Sequence, residues 1–572
     1  MENIFFVIGV VMIIATVLAY FAKLLKQPLI PAYILTGVIL VPILGLIPNT
    51  GINTGIITTL SEIGIAFLLF IVGLEIDIRK LKHVGLVASF GGIIQIVATF
   101  TAAFIVSLLL GFFALESVYI ALIIAFSSTM VVVKLLSDKR EIDTLHGKII
   151  VGILLMQDIA AIIALSVLVT LSEFSFIALS FSLLKGLFAL LLAIAASKYI
   201  LPKLFTFAAH SQELLFISAV SVSLLYSILF NYLGFSIAIG AFVAGISLAN
   251  LPYNIEIIGK VKPLRDFFSV MFFVSLGMAL SLSSFDFILK PLMVLLLLVI
   301  FVKPLIVMFT TAFFGYKKRI SFLSSISLAQ ISEFSLIIVS QGVILGHINQ
   351  NIFSLAVLLA IITITLTTYF VKYEDSMYSK LSKSLEFFDR MAKNNIELEY
   401  MPKNRGNEII LCGYNRIGYS IVKTLMRTKK SLIVIDFNPE IVKSLIGQKI
   451  PSIYGDIGDI EILERLDFKK AKMVLSTVPT KADNLLLIRM ARKENKKVAI
   501  FVTANQIQEA LELYDAGADY VVLPHFLGGE HISLLIEDFT KDIKKVIEHK
   551  VKHIKELKER HALGHEHPQH EK

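Results

Sequence analysis

Along the first two-thirds of the chain apolar residues come in long unbroken blocks; along the last third they come in short alternating runs. Through Phe370 the blocks are roughly 17–25 residues long, the length a helix needs to cross a ~30 Å hydrocarbon core. They predict thirteen membrane spans, near 4–22, 30–47, 55–74, 85–110, 116–136, 148–170, 175–196, 213–233, 235–250, 266–284, 290–314, 322–345 and 350–371. This membrane region, 1–372, is followed by a charged linker at 373–405 and a strand–helix alternation over 406–525. Such alternation predicts a doubly wound α/β domain. Residues 526–572 read as a charged helix and a tail with four histidines from His561 onward. Their spacing matches no metal site, and a solvated tail is the expectation. The predicted fold class is a polytopic α-helical membrane protein with a soluble α/β domain.

Composition supports the division. Of 572 residues 56% are hydrophobic and 17% charged, against about 45–50% and about 25% in soluble domains. The first block begins with an acidic residue, Glu2, and lacks a small-residue cleavage site, so it reads as a retained span. Cys412 is the lone cysteine, which excludes an internal disulfide framework and fits a reducing cytoplasm.

Loop charges orient the spans. Lys23 and Lys26 follow span one; Arg79, Lys80 and Lys82 follow span three; Lys139, Arg140 and Lys148 flank the loop after span five. Lys198 and Lys203, then Lys260, Lys262 and Arg265, then Lys317, Lys318 and Arg319 follow spans seven, nine and eleven. Positive loops face the cytoplasm, so the expectation is a plasma-membrane protein with its N-terminus outside and its soluble domain inside. These loops and the Lys-rich stretch 541–560 account for most of the net charge of +9, and nothing calls for nucleic acid.

Ionisable residues inside spans are costly and mark function by default. Asp158 stands mid-span in the sixth, Lys303 in the eleventh and Glu333 in the twelfth. A structural ion pair between Asp158 and Lys303 is the alternative to a role on a substrate path. Glu75 and Asp77, at the cytoplasmic end of span three, fit a helix-end interaction equally well. Two polar stretches look like breaks: Ser127-Ser128-Thr129 in span five and Ala329-Gln330-Ile331-Ser332-Glu333 in span twelve. Short polar side chains can satisfy backbone groups freed by an unwound turn, and freed oxygens suit a weakly held cation. Ordinary packing of small residues between helices is the competing explanation.

These residues carry a resemblance. Leu68 through Asp77, Ser127-Ser128-Thr129, Gln157-Asp158, Phe272 through Met278, and Glu333-Phe334 are similar to signatures of the monovalent cation/proton antiporter-2 family. Within it the chain most resembles the Kef-type potassium/proton antiporters. The resemblance implies inverted repeats, a dimerisation domain, a mobile core domain and two crossing broken helices, spans five and twelve, beside span six. It makes Asp158 the cation- and proton-binding carboxylate, with Gln157, Ser127, Ser128 and Thr129 around it, and Lys303 and Glu333 the midplane charge partners. Where electrogenic relatives have two acids or Asn-Asp, this chain has Gln157-Asp158. One carboxylate holds one proton or one monovalent cation, so exchange is expected to be electroneutral.

In the soluble part a strand ending at Cys412 runs into Gly413-Tyr414-Asn415-Arg416-Ile417-Gly418, a G-x-G-x-x-G pattern with Asn415 in place of its second glycine. In this strand–turn–helix setting the pattern places phosphates at a helix N-terminus. Asp436 ends the next strand, where a carboxylate grips ribose hydroxyls. Tyr454-Gly455-Asp456 and Ala516-Gly517-Ala518-Asp519 make 406–525 resemble a regulator-of-potassium-conductance, or TrkA-N, domain with a Rossmann-like fold. That resemblance implies a dimeric module regulated by an adenine nucleotide: AMP, ATP or NAD(H).

The function expected is a homodimeric antiporter in the lipid bilayer, exchanging potassium for protons under nucleotide control, rather than an enzyme. A sodium/proton antiporter of the same fold is the near alternative. A ligand-gated potassium channel is disfavoured because no TVGYG-like filter occurs in the chain. An oxidoreductase would need a second catalytic domain beside the nucleotide fold.

Overall fold

The computed structural model describes residues 4–45, 52–75, 90–139, 141, 144–170, 185, 189, 191–233, 235–280, 285–392, 399–401, 409–414, 417–428, 431–458, 460–524, 526–527 and 533. The chain forms two compact units, Met1–Asn395 and Ile396–Lys572.

Among the described residues the first unit has helices and no strand: α1 (Ile4–Leu24), α2 (Leu29–Val38), α3 (Ile52–Glu75), α4 (Gly92–Leu109), α5 (Ala114–Ala125), α6 (Thr129–Asp138) and α7 (Leu145–Thr170). After a bent pair, α8 (Leu191–Tyr199) and α9 (Leu201–Ala208), come α10 (Gln212–Tyr232), α11 (Ile237–Ala249) and α12 (Asn254–Met278). The unit closes with α13 (Phe285–Leu297), α14 (Lys303–Phe313), α15 (Lys318–Ser327), α16 (Glu333–Ile344), α17 (Gln350–Leu381) and the short α18 (Glu386–Ala392). Among the described residues seven helices are long and apolar enough to cross a membrane, eight if the bent pair is one span. Most of span seven lies outside the described residues. Span ten departs from expectation: Lys260, Lys262 and Arg265, read as loop, lie within α12, which starts at Asn254. Their charge hid a helix that continues beyond its apolar half.

Helices α1–α3 and α10–α12 pack chiefly on one another, and α4–α7 with α13–α17 do the same. Glycines let backbones meet closely in the first bundle, among other places where α2 meets α12. A Cβ on Gly37 of α2 would lie 2.0 Å from the Val274 carbonyl oxygen, and one on Gly277 of α12 would lie 2.0 Å from that of Ile34. Small residues let helix backbones meet where apolar lipid supplies no hydrophobic drive. In the second bundle, spans five and twelve are each broken as expected: α5 stops at Ala125 before α6 starts at Thr129, and α15 stops at Ser327 before α16 starts at Glu333. A turn of π-helix, Leu298–Val302, separates α13 from α14. It precedes Pro304, which has no N–H to give and crowds the preceding turn.

Helix α17 runs past the predicted span, and its end is tied to the broken helices. Lys139, just after α6, pairs with the buried Glu374 of α17. Asp389 of α18 accepts the Lys318 backbone N–H at 2.8 Å and pairs with its ammonium at 3.1 Å, at the start of α15.

The second unit is a seven-stranded sheet, β1 (Glu399–Tyr400), β2 (Ile409–Cys412), β3 (Leu432–Asp436), β4 (Ser452–Tyr454), β5 (Met473–Ser476), β6 (Ala499–Thr503) and β7 (Tyr520–Val522), in order β1-β4-β3-β2-β5-β6-β7. All neighbours are parallel except β1 with β4. Strands β2 and β3 are buried throughout, as a sheet covered on both faces requires. The antiparallel edge strand β1 falls in what the sequence presents as charged linker; two residues carry too little pattern to read. Most of 526–572, the histidine-bearing tail included, lies outside the described residues.

Candidate functional site

The two broken helices cross, and side chains take up the backbone groups that the breaks release. Ser127 Oγ donates to the Leu328 carbonyl at 3.0 Å, joining one break to the other. Gln330 Nε2 reaches the Ser128 carbonyl at 3.4 Å, and Ser335 Oγ the Ile123 carbonyl at 2.7 Å. From α17, Thr367 donates to the Ala329 carbonyl at 2.9 Å while Thr363 accepts the Ile331 N–H at 3.3 Å. Ser128 caps α6 and Ser332 caps α16, each accepting an N–H of the new helix's first turn. Water is scarce at this depth, so an unwound turn depends on such substitutes.

Charges are distributed over the four helix ends by sign. Helix C-termini carry partial negative charge and N-termini partial positive charge. Lys303 is fully buried and donates to the Phe126 carbonyl at 2.9 Å, beyond the end of α5, and to the Gln330 carbonyl at 2.6 Å, in the break after α15. Its hydrogen-bond partners are therefore carbonyls. The ion pair with Asp158 considered from the sequence is not formed, because the two exposed helix ends supply acceptors at the lysine itself. The carboxylates stand at the opposite ends. Glu333 is the first residue of α16, and Asp158 lies against the first residue of α6.

Asp158, from α7, is buried. The Thr129 hydroxyl sits 3.0 and 2.9 Å from its two oxygens. A hydroxyl can donate to a carboxylate or accept from a carboxylic acid, so Thr129 suits either protonation state. Glu333 and Glu75 are close enough for their charges to act on Asp158, and Arg265 acts on Glu333 from α12. Among the described residues Glu333 Oε2 has no hydrogen-bond partner. Asp77 lies outside the described residues.

Gln157 points elsewhere. Its Oε1 accepts the Ser127 N–H at 2.7 Å and its Nε2 donates to Gln95 Oε1 at 2.6 Å. Gln95, Thr363 and Thr367 were not picked out from the sequence. Gln95 had a readable signal, being an isolated amide in an apolar span; the two threonines were one helical turn apart but looked like ordinary packing residues.

In the soluble unit the first glycine turn lies where strand order reverses, between β2 and β5, the place where open α/β sheets bind ligands. Gly413 has φ +87°, and a Cβ there would lie 2.5 Å from Thr477 Oγ1. A Cβ on Gly418 would lie 2.1 Å from the Gly413 carbonyl oxygen, so both glycines are needed for the turn to meet α19 (Ile417–Arg427). Ile417 opens that helix; Asn415 and Arg416 lie outside the described residues. Asp436, at the end of β3, is buried and accepts the Tyr414 and Asn438 N–H groups, each at 2.8 Å. Asp456 accepts the Gly458 N–H at 3.0 Å. Burial, with the Asp436 charge adding to it, pushes the Cys412 thiol up to about 12.

Comparison with known proteins agrees with both halves. The family described as sodium/hydrogen exchanger, transmembrane, matches residues 10–372, and the TrkA-N domain matches residues 409–524. The chain is 27% identical over 534 residues to the cation/proton antiporter YbaL of Escherichia coli (strain K12), covering 90% of this chain and 93% of that one. It is 25% identical over 467 residues to the glutathione-regulated potassium-efflux system protein KefC of Klebsiella pneumoniae (strain 342), covering 80% and 73%. Among solved structures, the sodium proton antiporter MjNhaP1 from Methanocaldococcus jannaschii aligns at 18% identity over 68% of this chain and 98% of its own, with a TM-score of 0.49. A match spanning residues 10–372 of 572 places this chain in the transmembrane sodium/hydrogen exchanger family, with a TrkA-N domain following the membrane region.

Proposed function

We propose that the protein exchanges one potassium ion for one proton at Asp158, across the plasma membrane, under control of an adenine nucleotide. The observation that carries this reading is the setting of Asp158: a buried carboxylate held by one hydroxyl that serves both protonation states, beside a glutamine whose amide is engaged elsewhere. A proton or a monovalent cation neutralises that carboxylate equally, so each carries the same charge through the site. Thr129 and the break residues Ser127 and Ser128 surround the cation in this reading. Lys303 ties the two breaks together through the Phe126 and Gln330 carbonyls, with Glu333 at the start of α16.

The soluble domain holds the nucleotide with Asp436 on the ribose, Asp456 nearby, and the turn from Gly413 through Asn415, Arg416 and Ile417 to Gly418 beneath the phosphates. AMP, ATP and NAD(H) all present the required ribose and phosphate. The protein works as a homodimer, with its N-terminus outside and the nucleotide domain in the cytoplasm, as the loop charges support. Potassium is favoured by likeness to proteins named as potassium-efflux systems. Sodium is the second reading, favoured by the description of the matching family.

Proteoliposomes with a trapped pH dye, given potassium, sodium or lithium in turn, test this. Potassium-driven proton movement that is indifferent to membrane voltage is expected. Movement with sodium alone establishes the second reading, and none with any cation overturns both.

A further inference from the structure

Gln95 of α4 is fully buried in the second bundle, yet the exchange reading gives it no part. Its Nε2 donates to the Ala125 carbonyl at 3.4 Å and to Thr99 Oγ1 at 3.0 Å. Its Oε1 accepts from Gln157 Nε2, and Gln157 Oε1 accepts the Ser127 N–H. Ala125 is the last residue of α5 and Ser127 lies in the break. The series of bonds thus starts and ends on the same backbone, two residues apart.

Both ends have fixed polarity, since a carbonyl can only accept and a backbone N–H can only donate. The orientation of the two amides between them follows. Turning Gln95 over would set its oxygen against the Ala125 carbonyl and its nitrogen against that of Gln157. Turning Gln157 over would set its nitrogen against the Ser127 N–H. Two side-chain amides replace the backbone bond that the unwound turn gave up.

We propose that Gln95 is a positioning residue for the exchange site: it locks Gln157 in one orientation, fixes the unwound turn beside Asp158, and demands a hydrogen donor at position 157. A carboxylate at 157 would face the oxygen of Gln95 with another oxygen. It could stay only by keeping a proton, or by turning Gln95 round and stripping the Ala125 carbonyl of its donor. Position 95 therefore keeps the residue beside Asp158 neutral. This inference rests on Asp158 being the exchanging carboxylate.

The test uses the full chain in proteoliposomes with Gln95→Leu, Gln157→Leu and the double variant, reading the cation KM, kcat and Tm. Each single change is expected to raise KM about tenfold, the scale of one buried hydrogen bond lost. Because both act through one series of bonds, the double variant should be no worse than the poorer single one. Multiplying effects, or a lowered Tm with KM unchanged, overturn the proposal. Gln95→Glu gives an independent reading if the leucine variants do not fold. When protonated, its O–H can serve the Ala125 carbonyl and its C=O can accept from Gln157; when ionised it cannot donate. KM relative to wild type should be near one at acid pH and rise as that carboxyl loses its proton, and a flat ratio counts against the proposal. Asp158→Asn, run alongside, separates the two ideas: transport by that variant removes Asp158, while the coupling between 95 and 157 is still read.

Discussion

At the crossing of α5–α6 with α15–α16, the freed backbone groups are taken up largely by side chains. At the Gly413 turn, neighbouring backbone does more of the work: the Gly413 N–H donates to the Ile435 carbonyl at 2.8 Å, and the Thr477 N–H to the Cys412 carbonyl at 2.9 Å. Two side chains complete the turn: the Asp436 carboxylate, and the Thr477 hydroxyl, which donates to the Gly413 carbonyl at 3.0 Å. The difference follows from the solvent. A group orphaned near the surface of a soluble domain turns to water at small cost, whereas one orphaned in the bilayer core finds nothing. Removing a hydrogen-bonding side chain that bridges the breaks should therefore cost more stability than removing Asp436 from the turn, which can be tested in order of size.

The largest effect is expected at Asp158. Asp158→Asn should abolish cation/proton exchange in dye-loaded proteoliposomes while thermal unfolding stays close to wild type, because Thr129 can still bond the amide. Lys303→Met comes next. It removes two charge-assisted hydrogen bonds and should cost about 3 kcal/mol or more, seen as a Tm well below that of Asp158→Asn. A Tm for Lys303→Met no lower than that for Asp436→Ala would break the contrast drawn above.

In the soluble domain Asp436→Ala should weaken nucleotide binding by about 1.5–3 kcal/mol, tenfold or more, measured by calorimetry with AMP, ATP, NAD and NADH. It should lower Tm less than Lys303→Met does, since it leaves the Tyr414 and Asn438 N–H groups without their acceptor but removes no buried ammonium; a drop as large as that of Lys303→Met would make Asp436 chiefly structural. The smallest effect concerns Cys412, the only thiol in the chain. Its thiol is raised to about 12, so it stays protonated at neutral pH. Iodoacetamide should label it only on unfolding; prompt labelling would show the turn opening.

What the sequence made legible followed from rules about solvent. Asp158, the serine break and the Gln330–Glu333 break stood out because polar residues do not occur casually in apolar spans, and Gly413 and Asp436 stood out by spacing. Lys303 was legible as a site and illegible as a partner: spacing pairs opposite charges, and only the crossing shows two carbonyls at its ammonium. Gln95 was passed over because it is 62 positions from Gln157 and neutral. The early start of α12 was hidden by Lys260, Lys262 and Arg265, since hydropathy reports membrane depth and not helix length.

The length of α17 has a mechanical consequence. Its 32 residues extend about 48 Å at 1.5 Å per residue, well beyond a ~30 Å hydrocarbon core. The surplus ends in α18, and the chain goes on to β1. Glu374 grips the end of α6 and Asp389 grips the start of α15. Those are the two half-helices whose other ends meet at the crossing. The α17–α18 segment is thus a yoke, joined by one ion pair to each arm of the crossing.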